Sequence, residues 1–504
     1  VTEIHHSSRM PLIYTKKVMM PPLGTVKKIA QSVVFSTLFL LALMACAANG
    51  AEEDYLIGQR YEKGDGVIQD DARAFEFYAS AAEKGHVLAQ TYLGFFYERG
   101  KGREQNYAKA RFWYEKAAAQ GEAQAQYNLG VFHERGIGIK QDYAKAWQWY
   151  EKAAIQGHAD AQNNLGALYK RGDGVVQNDA KAKQWYEKAA AQGNANAQAN
   201  LGDLYYHGDG VAQDYAEARK WYEKAGAQGN ANAQANLGWL YEAGLDVAKD
   251  YNQARQWYEK AAAQGHAGAQ ANLGGLYAHG RGGAKNYNQA RLWYEKAAEQ
   301  GHAMAQYSLG WLYDNGHGGA KDHNQARLWY EKAAEQGYAM AQNNLGALYK
   351  NGQGVAKSYN QARLWYEKAA SQGHATAQNN LGELYYYGHG VSKNYEKARQ
   401  WYEKAAEQGH AIAQVNLGWL YDNGYSVTKN YNKAKQWYDK AIAQVGVDAQ
   451  RHLRFLFEQV YGPVQQSQQV HRNYSRPRPM SNACMNAQGI VVSGYSTCLG
   501  CPCM

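Results

Sequence analysis

A Trp-Tyr dipeptide recurs every 36 residues along this chain: Trp113-Tyr114, Trp149-Tyr150, Trp185-Tyr186 and onward to Trp437-Tyr438, with Phe77-Tyr78 as an altered first copy. A second marker keeps the same interval, from Ile57-Gly58 and Leu93-Gly94 to Leu417-Gly418. Eleven copies follow one another without an insertion or a deletion. A period of roughly 20 to 50 residues marks a stacked solenoid, in which each unit touches only its neighbours. The 504 residues would otherwise suggest about three globular domains. The repeat replaces that expectation with one continuous array over residues 51–462, and it moves the question of function from an enclosed pocket to an extended surface.

Residues 195–229 show how one copy is built. Ala197, Leu201, Leu204 and Tyr205 fall on one stripe of a first helix, helix A. Gly202 sits beside that stripe, and the same slot is Gly in every copy from Gly58 to Gly418. A glycine inside a helix costs about 1 kcal/mol relative to alanine, so its repetition predicts close approach by a neighbouring helix. The turn Gly208-Asp209-Gly210 follows. Helix B comes next, with Tyr215, Ala218, Trp221, Tyr222 and Ala225 expected on its buried stripe.

The ends of helix B are marked as clearly. The slot before it reads Asp70, Asn106, Asp142, Asn178, Asp214, Asp250, Asn286, Asp322, Ser358, Asn394 and Asn430. Each can accept a hydrogen bond from an unpaired N–H of the first turn, worth ~1 kcal/mol. Gly85, Gly121, Gly157 and their successors to Gly409 occupy the far end, where a left-handed residue is wanted. Each copy is therefore an antiparallel helix pair. No pair can bury its own aromatic face, whereas stacked pairs bury one another's, so the expected fold is an all-α superhelix.

The resulting pattern is Ala-x-Ala-Gln-x-x-Leu-Gly-x-Leu-Tyr-x-x-Gly-x-Gly-Val, then Asp-Tyr-x-x-Ala-x-x-Trp-Tyr-Glu-Lys-Ala-Ala-x-Gln-Gly. It resembles the Sel1-like repeat, a relative of the tetratricopeptide repeat with a longer turn between its helices. The resemblance implies a right-handed α/α superhelical solenoid of eleven 36-residue helix-turn-helix repeats. It also implies an adaptor that assembles complexes, exported members often serving envelope or host-interaction roles. A cysteine-rich branch of the family, with a disulfide in each repeat, is credited with binding or hydrolysing penicillins. The repeats here contain no cysteine, so that activity does not carry over, and a cell-wall-active or β-lactam-binding enzyme is the alternative reading.

Residues 1–50 read as a leader. Lys27 and Lys28 precede an apolar run from Val33 to Ala45 and then small residues, the pattern of a secretory signal peptide. The run is short for a membrane span, which needs about 20 apolar residues. Met19 or Met20 is a more natural start than Val1, which leaves residues 1–18 as sequence that need not be translated. Two cleavage patterns stay open. Ala45-Cys46-Ala47 suits signal peptidase, whereas Leu43-Met44-Ala45-Cys46 is similar to a bacterial lipobox and would put a lipid on Cys46. Either way the array is expected outside the cytoplasm: periplasmic, outer-membrane associated or secreted, touching membrane only through a lipid at Cys46.

The formal net charge of +9 sits mostly in the two ends, leaving the array at about +2. That is no electrostatic footprint for a phosphate backbone, which asks for a concentrated basic stripe, so nucleic acid is not expected as a partner. Leu453, Leu456 and Phe457 suit a final helix over residues 447–461 that caps the last aromatic face. Residues 463–504 read as a linker and a cysteine-containing tail. Cys484, Cys498, Cys501 and Cys503 can form two disulfides in three pairings, or bind zinc, for which the Cys-x-Cys spacing is tight.

Comparing copies separates packing slots from free ones. The helix-A slots of Asn196, Asn200, Asp203 and His207 share one face away from the buried stripe. By analogy with tetratricopeptide arrays, that face lines the groove. The Asn200 slot holds Asn128, Asn164, Asn200, Asn236, Asn272, Asn344, Asn380 and Asn416, with Ser308 the late exception. Asparagine is an indifferent helix former, and a carboxamide both donates and accepts, so this row can clamp the backbone of an extended peptide. The competing explanation is that each Asn bonds locally across neighbouring helices. The Asp203 slot varies most, holding Phe95, Asp203, Trp239, Trp311, Glu383 and Trp419 among others. Because it also takes Gly and Asp, it does not read as core. Trp239, Trp311 and Trp419 are then expected as anchors for a protein or peptide partner, with Phe95 in the same role near the amino end.

Other candidates for chemistry are weaker. His86, His158, His266, His302, His374 and His410 share one slot about a repeat or more apart, too far to converge on a metal; they read as turn residues. The Gly-x-Gly turns join helix to helix and are not phosphate loops. Ser426-Val427-Thr428-Lys429 matches Ser-x-x-Lys, but neither Ser-Asp-Asn nor Lys-Thr-Gly accompanies it. No cofactor and no catalysis are expected.

Overall fold

The computed structural model describes residues 50–444, and these fold into helices joined by short turns. The described residues contain 22 helices and no strand, in eleven consecutive pairs. Each pair is one 36-residue repeat of an all-α solenoid. The Cys46 site, the predicted capping helix over residues 447–461 and the four tail cysteines lie outside the described residues.

The chain divides into two compact units, ending at Asp214 and beginning at Tyr215. In the first unit, α1 covers residues 50–63. It is followed by α2 (Asp71–Glu83), α3 (Val87–Arg99), α4 (Tyr107–Ala119), α5 (Ala123–Arg135), α6 (Tyr143–Ile155), α7 (Ala159–Arg171), α8 (Asp179–Ala191) and α9 (Ala195–His207). The second unit repeats the scheme from α10 (Tyr215–Ala227) and α11 (Ala231–Ala243) to α21 (Ala411–Asn423) and α22 (Tyr431–Ala443). Odd-numbered helices are helix A of their repeats and even-numbered ones are helix B.

The predicted signals act where the sequence puts them. The side chains of Asp70, Asn106, Asp142, Asn178, Asp250, Asn286, Asp322, Ser358, Asn394 and Asn430 each accept from a backbone N–H in the first turn of the following helix B. Gly85 and its equivalents adopt positive φ just past the end of helix B. In the inter-helix turn, a Cβ on Gly174 would lie 2.3 Å from the carbonyl carbon of Tyr143 in the preceding helix B, so no side chain fits there.

The third repeat shows how a pair closes. In α5, Ala125, Gln126, Leu129, Gly130 and Phe132 are buried; in α6, Ala146, Tyr150, Ala153 and Ala154 are. Tyr150 lies flat against Gly130, where a Cβ would come within 2.4 Å of the ring. The helix-A glycine is therefore the seat of the helix-B tyrosine, the close approach its repetition predicts. The tyrosine hydroxyl then donates to a carboxylate on helix A: Tyr114 to Glu98, Tyr150 to Glu134 and Tyr258 to Glu242. Burial first, and then that carboxylate, hold these phenols far above their ordinary ionisation range.

One expectation about helix B is corrected. The Trp of each Trp-Tyr pair is only half-buried, and in the pattern's specimen helix the buried residues are Ala218, Tyr222, Ala225 and Gly226. The indole packs one side against the core of the preceding repeat, as Trp113 does on the cluster of Tyr78, Leu93 and Phe96. Its outer face carries the ammonium of the Lys three residues on, from Lys152 over Trp149 at 4.1 Å to Lys404 over Trp401 at 4.4 Å. A ring one residue before the buried tyrosine points about 100° away from it around the helix, at the rim of the stripe, and the lysine covers what that core leaves open.

Candidate functional site

Helix A ends in the left-handed glycines Gly100, Gly136, Gly172, Gly208 and their successors. Its start is fixed by side chains the sequence reading took only as turn residues. Nδ1 of His86, His158, His266, His302, His374 and His410 accepts from the backbone N–H three residues on, at 3.0 to 3.3 Å. Asn194 and Asn230 do the same with their carboxamide oxygens. These imidazoles are N-caps. Among the described residues, no group of three or more His, Cys, Asp or Glu is placed to hold a metal ion.

A second repeated residue has a role that the sequence reading passed over. Gln90, Gln126, Gln162 and their equivalents to Gln414 are buried on helix A. Each donates to a carbonyl of the preceding helix B, as Gln162 does to Ala154 at 3.0 Å. Within each unit they also accept from the Gln that ends the following helix B, as Gln162 does from Gln192 at 2.8 Å and Gln234 from Gln264 at 2.8 Å. The signal was in the pattern, since an amide persisting in ten of the eleven copies, with Asp54 in the first, needs fixed partners once buried.

The candidate face itself is divided. The asparagine row is largely engaged within the protein. Asn200 donates to Asn163 at 2.9 Å, Asn380 to Asn343 at 3.0 Å and Asn416 to Asn379 at 3.1 Å. Asn164 and Asn344 accept from their preceding neighbours, Asn344 also donates to the Tyr330 hydroxyl, and Asn128 accepts from Gln124. Asn128, Asn164, Asn200, Asn236, Asn272 and Asn344 are half-buried, whereas Asn380 and Asn416 are buried. Asn200, Asn344, Asn380 and Asn416 thus bond across neighbouring helices, whereas Asn128 and Asn164 bond within their own.

The three tryptophans of the variable slot, expected to share one open environment, do not. Trp239 is 44 % exposed. Trp311 is half-buried, its ring tilted against Tyr287 and His317 and packed against the cores on both sides of it. Trp419 is only 8 % exposed. Its Nε1 donates to the hydroxyl of Tyr386, one repeat earlier, at 2.9 Å, and its ring joins a cluster with Tyr386, Tyr402 and Leu420. The expectation that this slot is never core is thereby corrected for Trp419. Tyr386 gives the indole both a ring and an acceptor; the same slot holds Ala278 ahead of Trp311 and Tyr206 ahead of Trp239. Glu383 is buried as well, paired with Lys350 at 2.8 Å. Asp203 is half-buried. Phe95 is half-buried with the Arg99 guanidinium 5.7 Å from its ring.

The Ser-x-x-Lys match has a local structure of its own. Ser426 sits at φ +58 in the turn position that the other copies give to glycine, or to Asp246 at φ +61, and its hydroxyl donates to the carbonyl of Tyr395. The ammonium of Lys429 lies over the Tyr431 ring at 4.8 Å. The pair is built as a turn.

The pattern described as Sel1 repeat matches eleven consecutive segments, from residues 54–86 to 411–445. The chain belongs to the Sel1 repeat family. Among solved structures, a protective antigen present in uropathogenic Escherichia coli strains is 36 % identical, with a TM-score of 0.68; the match covers 87 % of this chain and 99 % of that one. A Sel1 repeat protein from Oxalobacter formigenes is 37 % identical over 48 % of this chain and 96 % of that one, with a TM-score of 0.46. No curated protein matches. Among the described residues of this Sel1 repeat protein, no helix is long and apolar enough to cross a membrane. A solenoid of this kind is a protein-interaction scaffold in its general character.

Proposed function

We propose that this Sel1 repeat protein is an exported adaptor that holds a protein or peptide against its helix-A faces without chemistry of its own. The observation that carries the reading is Trp239. A tryptophan 44 % exposed, in a slot that packing leaves free to vary, is the type of residue that anchors interfaces. Trp311, half-buried, offers its outer edge in the same slot two repeats on. Phe95 with Arg99 offers a smaller apolar and cationic contact on α3 of the first unit. The half-buried asparagines beside them supply polar contacts, each at the cost of a bond it already makes. The leader pattern supports export, and so does the likeness to a protein described as a protective antigen. The lipobox-like segment makes an anchor at Cys46 part of the proposal.

The test is capture of envelope and secreted proteins with the full chain as bait, beside Trp239→Ala and Trp419→Ala variants. A partner held by the parent and lost with Trp239→Ala, while the helical signal and melting stay within about 1 kcal/mol of the parent, supports the reading. Trp419→Ala is expected to weaken the fold by about 3 to 5 kcal/mol instead, as for any large buried aromatic. Identical retention by the parent and Trp239→Ala would remove the anchor assignment.

A further inference from the structure

The third repeat departs from the other copies at one slot. Where Tyr61, Tyr97, Tyr169, Tyr313 and Tyr421 close the end of helix A, α5 carries His133. In several of the other copies that phenol meets one or the other of two cations. One comes from the following helix B: Lys109 lies over Tyr97 at 5.3 Å and Lys181 over Tyr169 at 5.2 Å. The other comes from the preceding helix B: Arg291 lies over Tyr313 at 4.3 Å and donates to its hydroxyl. The third repeat keeps both cations, as Lys145 on α6 and Arg111 on α4, but offers them a smaller ring and no hydroxyl.

What remains is a cleft of about 850 Å³ between α4 and α6, with His133 and Trp149 in its wall. Arg111, Lys140, Lys145 and Lys152 line it. Two carboxylates stand among them. Glu115 lies 3.3 Å from Nε of Arg111, and Asp142 lies 3.9 Å from Nζ of Lys145 while its other oxygen caps α6. Four cations against two carboxylates leave a surplus of two positive charges. Nδ1 of His133 is buried with no hydrogen-bond partner, and so is Nε of Arg111; Arg255, Arg327 and Arg363 share the latter in the same slot, so the imidazole is what sets this repeat apart. Buried polar atoms left this way are uncommon and ask for an explanation.

We propose that this cleft is a second binding site that takes a carboxylate side chain of an acidic peptide segment. The carboxylate sits between Arg111, Lys140 and Lys145, beside the His133 ring, and the segment passes over Lys152 where it covers the outer face of Trp149. The cleft lies between two helices B, so it is separate from the helix-A face. Its open trough and spread of lysines suit an extended acidic segment better than a single compact ion. Burial first, then the charge of Lys145, hold the His133 imidazole below its ordinary range, with Asp142 opposing, Arg111 adding and Glu115 opposing. A bound carboxylate offsets those cations.

The test uses the full chain, a fluorescently labelled hexaglutamate peptide followed by anisotropy, and inorganic phosphate as competitor. His133→Tyr restores the ring of the other repeats, fills the cleft and leaves the net charge at pH 7.5 unchanged. Lys140→Ala removes one rim cation. The peptide is expected to bind the parent in a salt-sensitive way and to bind each variant at least tenfold more weakly, with phosphate competing only at much higher concentration. Equal binding by parent and His133→Tyr, or no binding by the parent, overturns the proposal. Binding of phosphate without binding of the peptide overturns it too, since it makes the cleft a small-anion site.

Discussion

The side-chain amide of Gln156 donates to the carboxamide oxygen of Gln126, 30 residues upstream, at 2.8 Å. Gln126 in turn donates to the carbonyl of Ala118 at 3.3 Å. One buried side chain thus ties α4, α5 and α6 together, and the same link recurs as Gln300 to Gln270 and Gln408 to Gln378. The apolar contacts between repeats slide easily, being mostly alanine, leucine and ring faces. The glutamine link supplies direction and fixes the register of one repeat on the next.

Breaking one link should therefore cost more than its exposed appearance in sequence suggests. Gln270→Leu removes a donor to Ala262 and an acceptor for Gln300, and leaves both partners behind. Ala262 keeps its bond from the Gly265 N–H, and the exposed Gln300 keeps one to Lys296, so the change is the loss of two hydrogen bonds worth about 0.5 to 1.5 kcal/mol each. A loss of about 1 to 3 kcal/mol is expected in urea unfolding, with faster hydrogen exchange confined to the adjoining helices. Stability within about 0.5 kcal/mol of the parent would show that the link is incidental.

The glycine of helix A sets two effects against each other. Gly130→Ala gains about 1 kcal/mol of helix propensity, but places a carbon 2.4 Å from the Tyr150 ring, where contact needs about 3.5 to 4.0 Å. The ring cannot swing aside while its hydroxyl donates to Glu134 at 2.6 Å. Overpacking of this kind costs about 1 to 3 kcal/mol, so the substitution is expected to destabilise, and Tyr150→Leu in the same chain to recover part of the loss. A variant that melts above the parent would mean the helices separate at little cost.

Fold and site differ in how far they could be read in advance. Period, caps and glycines act locally and repeat in every copy, so Asn106, Gly130 and Tyr150 announced their roles. The face could be located for the same reason, as the slots that packing leaves free. What a residue does on that face depends on its neighbour one repeat away, and that is a pairwise property. Trp311 and Trp419 occupy the same slot, yet only the second meets a tyrosine one repeat earlier, Tyr386 where Trp311 has Ala278, and only the second is buried. The asparagine row was visible, but a carboxamide reads the same whether it faces a ligand or the next asparagine. The histidines were recognised as one slot, while their capping bond needed the backbone N–H three residues on.

That capping bond makes stability depend on pH. Nδ1 of His410 accepts from the N–H of Ala413 at 3.2 Å, so the ring caps α21 only when neutral. Burial, with His374 adding its charge, lowers its pKa from an ordinary 6.5 to about 4. The neutral form is favoured by folding, so the contribution is fully present above pH 6.5 and is lost as pH falls toward 4. At pH 4.5 the loss relative to neutral pH amounts to about 2 to 3 kcal/mol. His158, His266, His302 and His374 shift in the same direction, again mainly through burial. Asn194 and Asn230 cap their helices with a group that does not titrate, which points to the informative variant. His410→Asn should match the parent at pH 7.5 and exceed it at pH 4.5 by about 2 kcal/mol, measured by urea unfolding at both values. If parent and variant lose stability in parallel as the solution is acidified, the acid sensitivity of this solenoid arises elsewhere, and the His410 cap contributes nothing to it.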